Sequence, residues 1–406
     1  MARDVDIVLF GASGFVGRLV AGHLARSAPA GTRIALAGRS RERLEAVARD
    51  LGPVTADWPV VVADASDPAS LQSLAESAQV VVSTVGPYLR HGLPLVEACA
   101  RAGTHYADLT GEVLFVRRSI DTAHALAEAS GARIVHSCGF DSVPSDLAVL
   151  LAHEWATQTG AGPLASATLE LLSARGGFSG GTVDSLRLQL DTARDDPQAQ
   201  RLLADPYSLS PDPSAEPDLG RQSDVFRPHR RSATGDWVAP FVMASHNTRI
   251  VRRSNAVLGH AYGPRLRYAE VVAFRGRTAG LQAAAVTGGL AALTGLLSVR
   301  PVRPLVDRVL PSPGSGPSER TRSTGHFRLR LDARTESGRR CEVLLAAQGD
   351  PGYAATAVMI GESALALALD GDRLPDRAGV LTPATAIGSP LVDRLRANGF
   401  VVDLTA

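Results

Sequence analysis

The sequence predicts an α/β fold: a Rossmann-type doubly wound parallel sheet followed by a second α+β domain carrying an antiparallel sheet. Three observations point there. Through the first 150 residues, short runs rich in Val, Ile and Ala alternate with helical stretches, the pattern of right-handed βαβ crossovers. A glycine-spaced turn, "LFGASGFVG" (9–17), joins the first such run to the first helix. From about Ala165 the pattern changes to long strands separated by a polar stretch.

Taken in order, the strand candidates are "VDIVLF", "RIALAG", "PVVVAD", "QVVVSTV", "THYADL" and "ARIVHSC". Helical periodicity fills the gaps, as in 41–51 and 93–103. Farther on, 167–174 reads as a strand and 182–196 as a helix. Residues 205–236, rich in Pro, Ser, Asp and Arg, read as a loop or lid. Residues 326–334 and 339–349 alternate with period two around "TESG", as a hairpin does, and 352–369 is an apolar helix expected to be buried. The amphipathic segment 389–399 is expected to pack back on the first domain. The expected divisions are a nucleotide-binding domain at 1–150, a substrate-binding and dimerisation domain at 151–371, and a returning C-terminal segment at 372–406.

Composition narrows the chemistry. The 42 basic residues nearly balance 41 acidic ones, for a net charge of +1, and no basic stripe argues for nucleic acid. All the basic residues are arginine. Without lysine there is no Schiff base, no Walker lysine and no Tyr-x-x-x-Lys dyad. Cys99, Cys138 and Cys341 are far apart, so no metal site or disulfide framework is expected. The first strand opens almost at the N-terminus, and a cytoplasmic chain with no signal peptide is expected.

The glycine turn predicts a bound dinucleotide. Gly11 suits the tight turn, Gly14 lets backbone approach a pyrophosphate, and Gly17 permits close helix–strand packing; Ser13, Phe15 and Val16 complete the loop. An NAD enzyme ends its second strand with an acid for the ribose hydroxyl. Here the strand ends in "AGRSRER", and Arg39 with Ser40 suits a 2′-phosphate, so the cofactor is read as NADP(H). Asp64 is placed either to meet adenine or to cap the helix at 68–77.

Ligands of such sheets lie beyond the carboxyl ends of the strands. Three loops fall there: 83–92, 107–112 and 137–146. The first offers Tyr88 and His91 as candidate catalytic donors, with Gly86 and Pro87 shaping the backbone against the cofactor. Cys138, Gly139 and Phe140 would line its other side. Asp108 and Glu112 read as loop-ordering groups, and Asp141 and Ser142 as caps of the next helix.

The stretches "ALAGRS", "VGPYLRHGLPLVEACARAGTHYADLTGE", "GARIVHSCGFDSVPSDL", "NTRIVRRSNA" and "GVLTPATAIG" resemble the saccharopine dehydrogenase-like superfamily, and within it the trans-acting enoyl reductases of polyketide-lipid synthesis. They span nearly the whole chain. The resemblance implies NADPH-dependent saturation of a carbon–carbon double bond conjugated to a carbonyl, on a lipid-like or polyketide product of a synthase. Two alternatives stand beside it. One is a saccharopine-type dehydrogenase acting at a C–N bond of an amino acid, with Arg249, Arg252 and Arg253 as a carboxylate clamp. The other is a non-catalytic NADP-binding module.

Other motifs compete. "GFSGG" (177–181) matches a nucleophile elbow at Ser179, but no hydrolase sheet surrounds it. "HEWAT" fails the metalloprotease pattern because residue 157 is Thr. Residues 278–299 carry no charge between Arg277 and Arg300 and read as a buried helix, a lipid-contacting helix or a span. With the arginines after them, residues 278–310 are the expected place of any transient contact with a synthase or membrane surface. A homodimer is expected.

Overall fold

The computed structural model describes residues 3–406 except 177–179, 233, 300, 302 and 304–315. The Ser179 motif and most of the arginine-rich stretch after Arg300 lie outside the described residues.

Among the described residues, fourteen strands form two seven-stranded sheets. The first contains β1 (Val5–Phe10), β2 (Ile34–Gly38), β3 (Val60–Val62), β4 (Ala78–Ser83), β5 (His105–Asp108), β6 (Arg133–Val135) and β13 (Gly379–Leu381). The second contains β7 (Leu164–Arg175), β8 (His229–Arg230), β9 (Trp237–Pro240), β10 (Arg267–Phe274), β11 (His326–Thr335), β12 (Arg340–Gln348) and β14 (Val401–Thr405).

The first sheet runs in the order β13-β6-β5-β4-β1-β2-β3, and every pairing is parallel. Its inner strands are continuous apolar runs because helices cover both faces. One face buries Leu71, Leu95, Val96 and Phe115 from helices Pro68–Ser77, Leu93–Ala102 and Val113–Ser130. The other packs on Phe15–Ser27, Val143–Gln158 and the apolar helix Thr356–Leu369, which lies against β1, β4 and β5. That last helix is buried, as its composition predicts; Gly361 seats against His23, and His23 Nε2 meets the Glu362 carboxylate at 2.7 Å.

The second sheet is ordered β14-β12-β11-β7-β10-β9-β8. It is mixed rather than wholly antiparallel, because β10 pairs parallel to β7. The reason lies in the connection: the chain from β7 to β10 passes through helices Gly180–Asp195, Pro197–Ala204 and Ala244–Val257, a crossover long enough to restore the direction. Phe327, Leu329, Val343 and Leu345 face helix Val143–Gln158, while Arg328, Arg330 and Glu342 line a groove of about 580 Å³ on the opposite face.

After residue 372 the chain serves both sheets. Gly379–Leu381 adds to β6 of the first, and Val401–Thr405 adds to β12 of the second. Among the described residues, two helices have the length and apolarity to cross a membrane. Pro351–Leu369 is interior. Ala279–Ser298 is exposed along most of its length, with Gly280 seated against Trp237 at the edge of the second sheet.

Candidate active site at the carboxyl edge of the first sheet

Because the pairings are parallel, the segments following β1, β2, β3, β4, β5 and β6 emerge on one edge. The turn after β1 is built by close backbone contact. Gly11 has φ +90°, and a Cβ there would stand 2.6 Å from Thr84 Oγ1 and 2.9 Å from Val85. A Cβ on Gly17 would stand 2.1 Å from the Gly11 carbonyl oxygen, so only glycine lets the helix approach the strand. Gly14 is the N-cap of helix Phe15–Ser27, where no side chain caps and no acid occupies the first turn. Its unpaired N–H groups and dipole are a ready anion site.

The residues after β2 fit a dinucleotide phosphate as well. Arg39 is exposed and makes no hydrogen bond or ion pair among the described residues. Ser40 caps helix Arg41–Leu51 through its hydroxyl, which accepts from Arg43 N–H. Asp64 accepts from Ser66 N–H and Oγ–H at 2.8 and 2.7 Å, while Asp67 caps helix Pro68–Ser77. The Ser66 bonds hold the Asp64 carboxyl below the usual range, aided by the positive charges of Arg39 and His91. His91 is therefore exposed on the β3 side of the edge, beside the group read as adenine-facing.

Tyr88 lies one turn earlier and is buried. Its hydroxyl donates to the Ser83 carbonyl (3.0 Å) and accepts from Leu109 N–H (3.2 Å), and its ring stacks on Phe115. Burial raises the phenol well above its ordinary pKa. The side chain ties the β4 loop, with Gly86 and Pro87, to the β5 loop. Glu112 strengthens that tie: its carboxylate accepts from Tyr88 N–H (3.0 Å), Leu89 N–H (2.7 Å) and Ser185 Oγ–H (2.5 Å), the last on helix Gly180–Asp195.

After β6, Cys138 is fully buried in the core, and burial raises its thiol. Gly139 is pressed between Leu109 and Thr356. Phe140 N–H donates to Thr356 Oγ1 at 3.0 Å, and its ring meets Phe327 edge-on at 4.9 Å. These residues join the sheet edge to the second sheet's elements.

The same junction joins Asp108 and Asp141, read from the sequence as loop-ordering and capping groups, to His136, Ser137, Gln189, Met243 and His246, which the sequence did not single out. Asp108 accepts from Thr110 N–H and Ser137 N–H and pairs with His136 Nδ1 at 2.7 Å. Ser137, at φ +64°, donates to the Thr110 carbonyl and meets His246 Nε2 at 2.8 Å. The serine has one hydrogen, so His246 donates from Nε2 and leaves Nδ1 a bare acceptor, buried and without a partner among the described residues. Burial lowers that imidazole to about 3, so it stays neutral. Gln189 Oε1 is likewise buried and meets no partner among the described residues, while its amide nitrogen reaches the Gly111 carbonyl at 3.4 Å. Opposite Gly111 stand Asp141 Oδ2 and Met243 Cε. Asp141 precedes Ser142, the N-cap of the following helix, and its half-buried carboxyl accepts no hydrogen bond among the described residues; desolvation raises it to about 6. Sequence spacing carried no signal for this cluster, because its members lie on segments 27 to 109 residues apart that only the fold brings together.

A glycine cradle at an open helix end on a parallel sheet, with the matches that follow, defines an NADP-dependent oxidoreductase. Residues 7–135 match the saccharopine dehydrogenase NADP binding domain. The chain is 50% identical to trans-acting enoyl reductases of Mycobacterium ulcerans, over 413 residues, and Mycobacterium tuberculosis, over 412, each covering 99% of this chain and 98% of the relative. A further M. tuberculosis protein is 53% identical over 411 residues. This chain belongs to the trans-acting enoyl reductase family. Its fold matches that of the saccharopine dehydrogenase (L-Glu forming) of Saccharomyces cerevisiae, with TM-score 0.54 and 13% identity over 99% of both chains.

Proposed function

We propose that this protein uses NADPH to saturate a carbon–carbon double bond conjugated to a carbonyl, on a lipid-like or polyketide substrate made by a separate synthase. The observation that carries the reaction type is identity of half or more, across the whole chain, to enzymes named for it. The glycine cradle and Arg39 would hold the dinucleotide, which supplies the hydride. Tyr88 serves as an anchor of the cofactor-side loops, since its hydroxyl is already shared by Ser83 and Leu109. His91 takes a place near the adenosine end.

The amino-acid alternative needs free cations for two or three carboxylates, and the three arginines offered for it are occupied. Arg249 donates to the carbonyls of Leu203, Asp205 and Ser245 and pairs with Asp224. Arg252 donates to the carbonyls of Pro206, Gln222 and Tyr268, and Arg253 to those of Leu209 and Val380. They peg the 203–224 segment to the body of the protein. The exposed helix Ala279–Ser298 favours a greasy environment: Leu281 is 74% exposed and Leu296 44%. Its flanks carry exposed Arg275 and Arg277, with Trp237 beside it, as on a lipid-facing element. The reading places the protein in the cytoplasm, peripheral to a membrane, as a homodimer whose cofactor part is roughly 1–150.

The test is NADPH oxidation with a long-chain α,β-unsaturated ketone against an imine of an amino acid. Turnover of the ketone alone supports the proposal; turnover of the imine alone, or cofactor binding with neither, overturns it.

A further inference from the structure

We propose that Arg322, carried by the segment that enters the second sheet at β11, is the cation that closes over the pyrophosphate of the dinucleotide at the glycine turn. The proposal rests on the reading that the turn after β1 holds the dinucleotide. It is independent of which acceptor takes the hydride.

Chain geometry brings the residue there. Residues 316–325 pass Phe15, the first residue of helix Phe15–Ser27. A Cβ on Gly316 would collide with the Phe15 ring, so the backbone lies directly against that ring. Ser318 caps the short helix Glu319–Ser323, its hydroxyl accepting from Thr321 N–H. Arg322 sits on this helix, and its carbonyl accepts from Asp350 N–H at 2.9 Å. With the backbone so held, the guanidinium lies over the Phe15 ring, 5.2 Å from the centroid. Tyr353 meets the same ring edge-on at 5.1 Å and fixes the plane that the guanidinium covers.

The charges make this placement informative. Helix side chains tilt toward the N-terminus, so the Phe15 ring leans toward the end where the backbone N–H groups are open. That end carries a partial positive charge, which disfavours a cation. Arg322 nevertheless brings a full positive charge beside it. No acid offsets the two: the first turn of the helix carries none, and Arg322 makes no ion pair among the described residues. Its side chain donates from Nη1 to the Pro317 carbonyl at 2.9 Å, leaving Nε and Nη2 with no acceptor among the described residues.

Like charges brought together without a counter-charge are stabilised when an anion lies between them. The dinucleotide supplies one, because the pyrophosphate sits at the helix N-terminus of such a glycine turn. A planar guanidinium with unused N–H groups suits phosphate oxygens. Arg39 and Arg322 then divide the recognition. Arg39 is read as meeting the 2′-phosphate, which only NADPH carries; Arg322 meets the pyrophosphate, which NADPH and NADH share.

The test measures dissociation constants of NADPH and NADH by fluorescence for wild type, Arg322→Met and Arg322→Lys. Methionine keeps an apolar stem on the Phe15 ring and removes the charge. Expected for Arg322→Met is a loss of affinity of roughly 10- to 100-fold for both nucleotides, with the NADPH-to-NADH ratio unchanged. Arg322→Lys should recover part of that loss. Competition by 2′-AMP, which lacks the pyrophosphate, should stay as in wild type. Arg322→Met binding both nucleotides as wild type does overturns the proposal, since the arginine then only packs on Phe15. Loss of NADPH affinity alone overturns it as well, by placing the arginine at the 2′-phosphate. So does a loss that extends to 2′-AMP, because the turn itself has then been damaged. Should Arg322→Met not fold, Arg322→Gln carries the same comparison. A wild type that binds neither nucleotide removes the cofactor reading and the proposal together; one that binds them but reduces no enone removes only the acceptor.

Discussion

The two halves of the sheet edge are built by different means. The half proposed to hold the cofactor, residues 9–17 with 38–40 and 84–87, is made largely of backbone. Glycines let chain segments approach within van der Waals distance, and an uncapped helix end supplies the charge. The other half, around Gly111 and Asp141, is made of side chains from the β5 and β6 loops and from helices Gly180–Asp195 and Ala244–Val257. A backbone site needs small residues at fixed short spacing and writes itself into the sequence. A side-chain site assembled across two sheets leaves no such trace.

The sharpest way to break that comparison is Gly17→Val. The added atoms meet the Gly11 carbonyl 2.1 Å away, and both neighbours are backbone that cannot step aside. Destabilisation of roughly 3 kcal/mol or more is expected from overpacking, with loss of NADPH binding, read by thermal melting and by nucleotide fluorescence. A variant with the stability and affinity of wild type would mean that the cradle is not backbone-limited.

Arg253→Met probes the other construction. Arg253 is almost fully buried, and burial lowers it to about 9 while two carbonyls hold it. Loss of these bonds should cost about 2 to 4 kcal/mol, seen as a lower denaturant midpoint. An altered KM with unchanged stability would return the arginine to the substrate site.

Arg39→Asp tests the cofactor half alone. Replacing the free guanidinium by an acid should weaken NADPH relative to NADH by roughly 10- to 100-fold, the worth of a charge-assisted pair. The stability should not move, because Arg39 holds nothing else among the described residues. The ratio of dissociation constants is the measurement.

The smallest effect is a pH slope. Burial raises Glu270 to about 7 against an ordinary 4.5, so the folded protein binds its proton more tightly than the unfolded chain does. That contribution is fully present below about pH 4.5 and is lost as pH rises through 7. Buried histidines such as His246 slope the other way, so the informative quantity is the difference between wild type and Glu270→Gln. The difference should change by roughly 1 to 2 kcal/mol between pH 5 and pH 8. Parallel stability curves would show that Glu270 does not titrate with folding.

Much of the fold was legible because its signals are local. The six strands of the first 150 residues, the hairpin His326–Gln348 and the apolar helix after it follow from periodicity alone. Three features were not: β13, a three-residue strand that exists only because β6 offers an open edge; the parallel pairing of β10 with β7; and the exposure of Ala279–Ser298, whose composition suits an interior as well as a surface. At the site, the close backbone packing that requires glycine at 11 and 17 was legible. The partners of Tyr88 and of the three arginines were not, because a polar side chain does not announce which carbonyl it will meet.

The sequence by itself determined the glycine turn of an NADP-binding domain, since steric demands on glycine act over a few residues. It also excluded lysine chemistry, because no lysine exists to perform it. Only the tertiary structure decided that His246 and Gln189 keep buried acceptors that meet no partner among the described residues, beside the loops after β5 and β6. What a polar side chain meets is set by its surroundings, and those come from segments far apart in the chain.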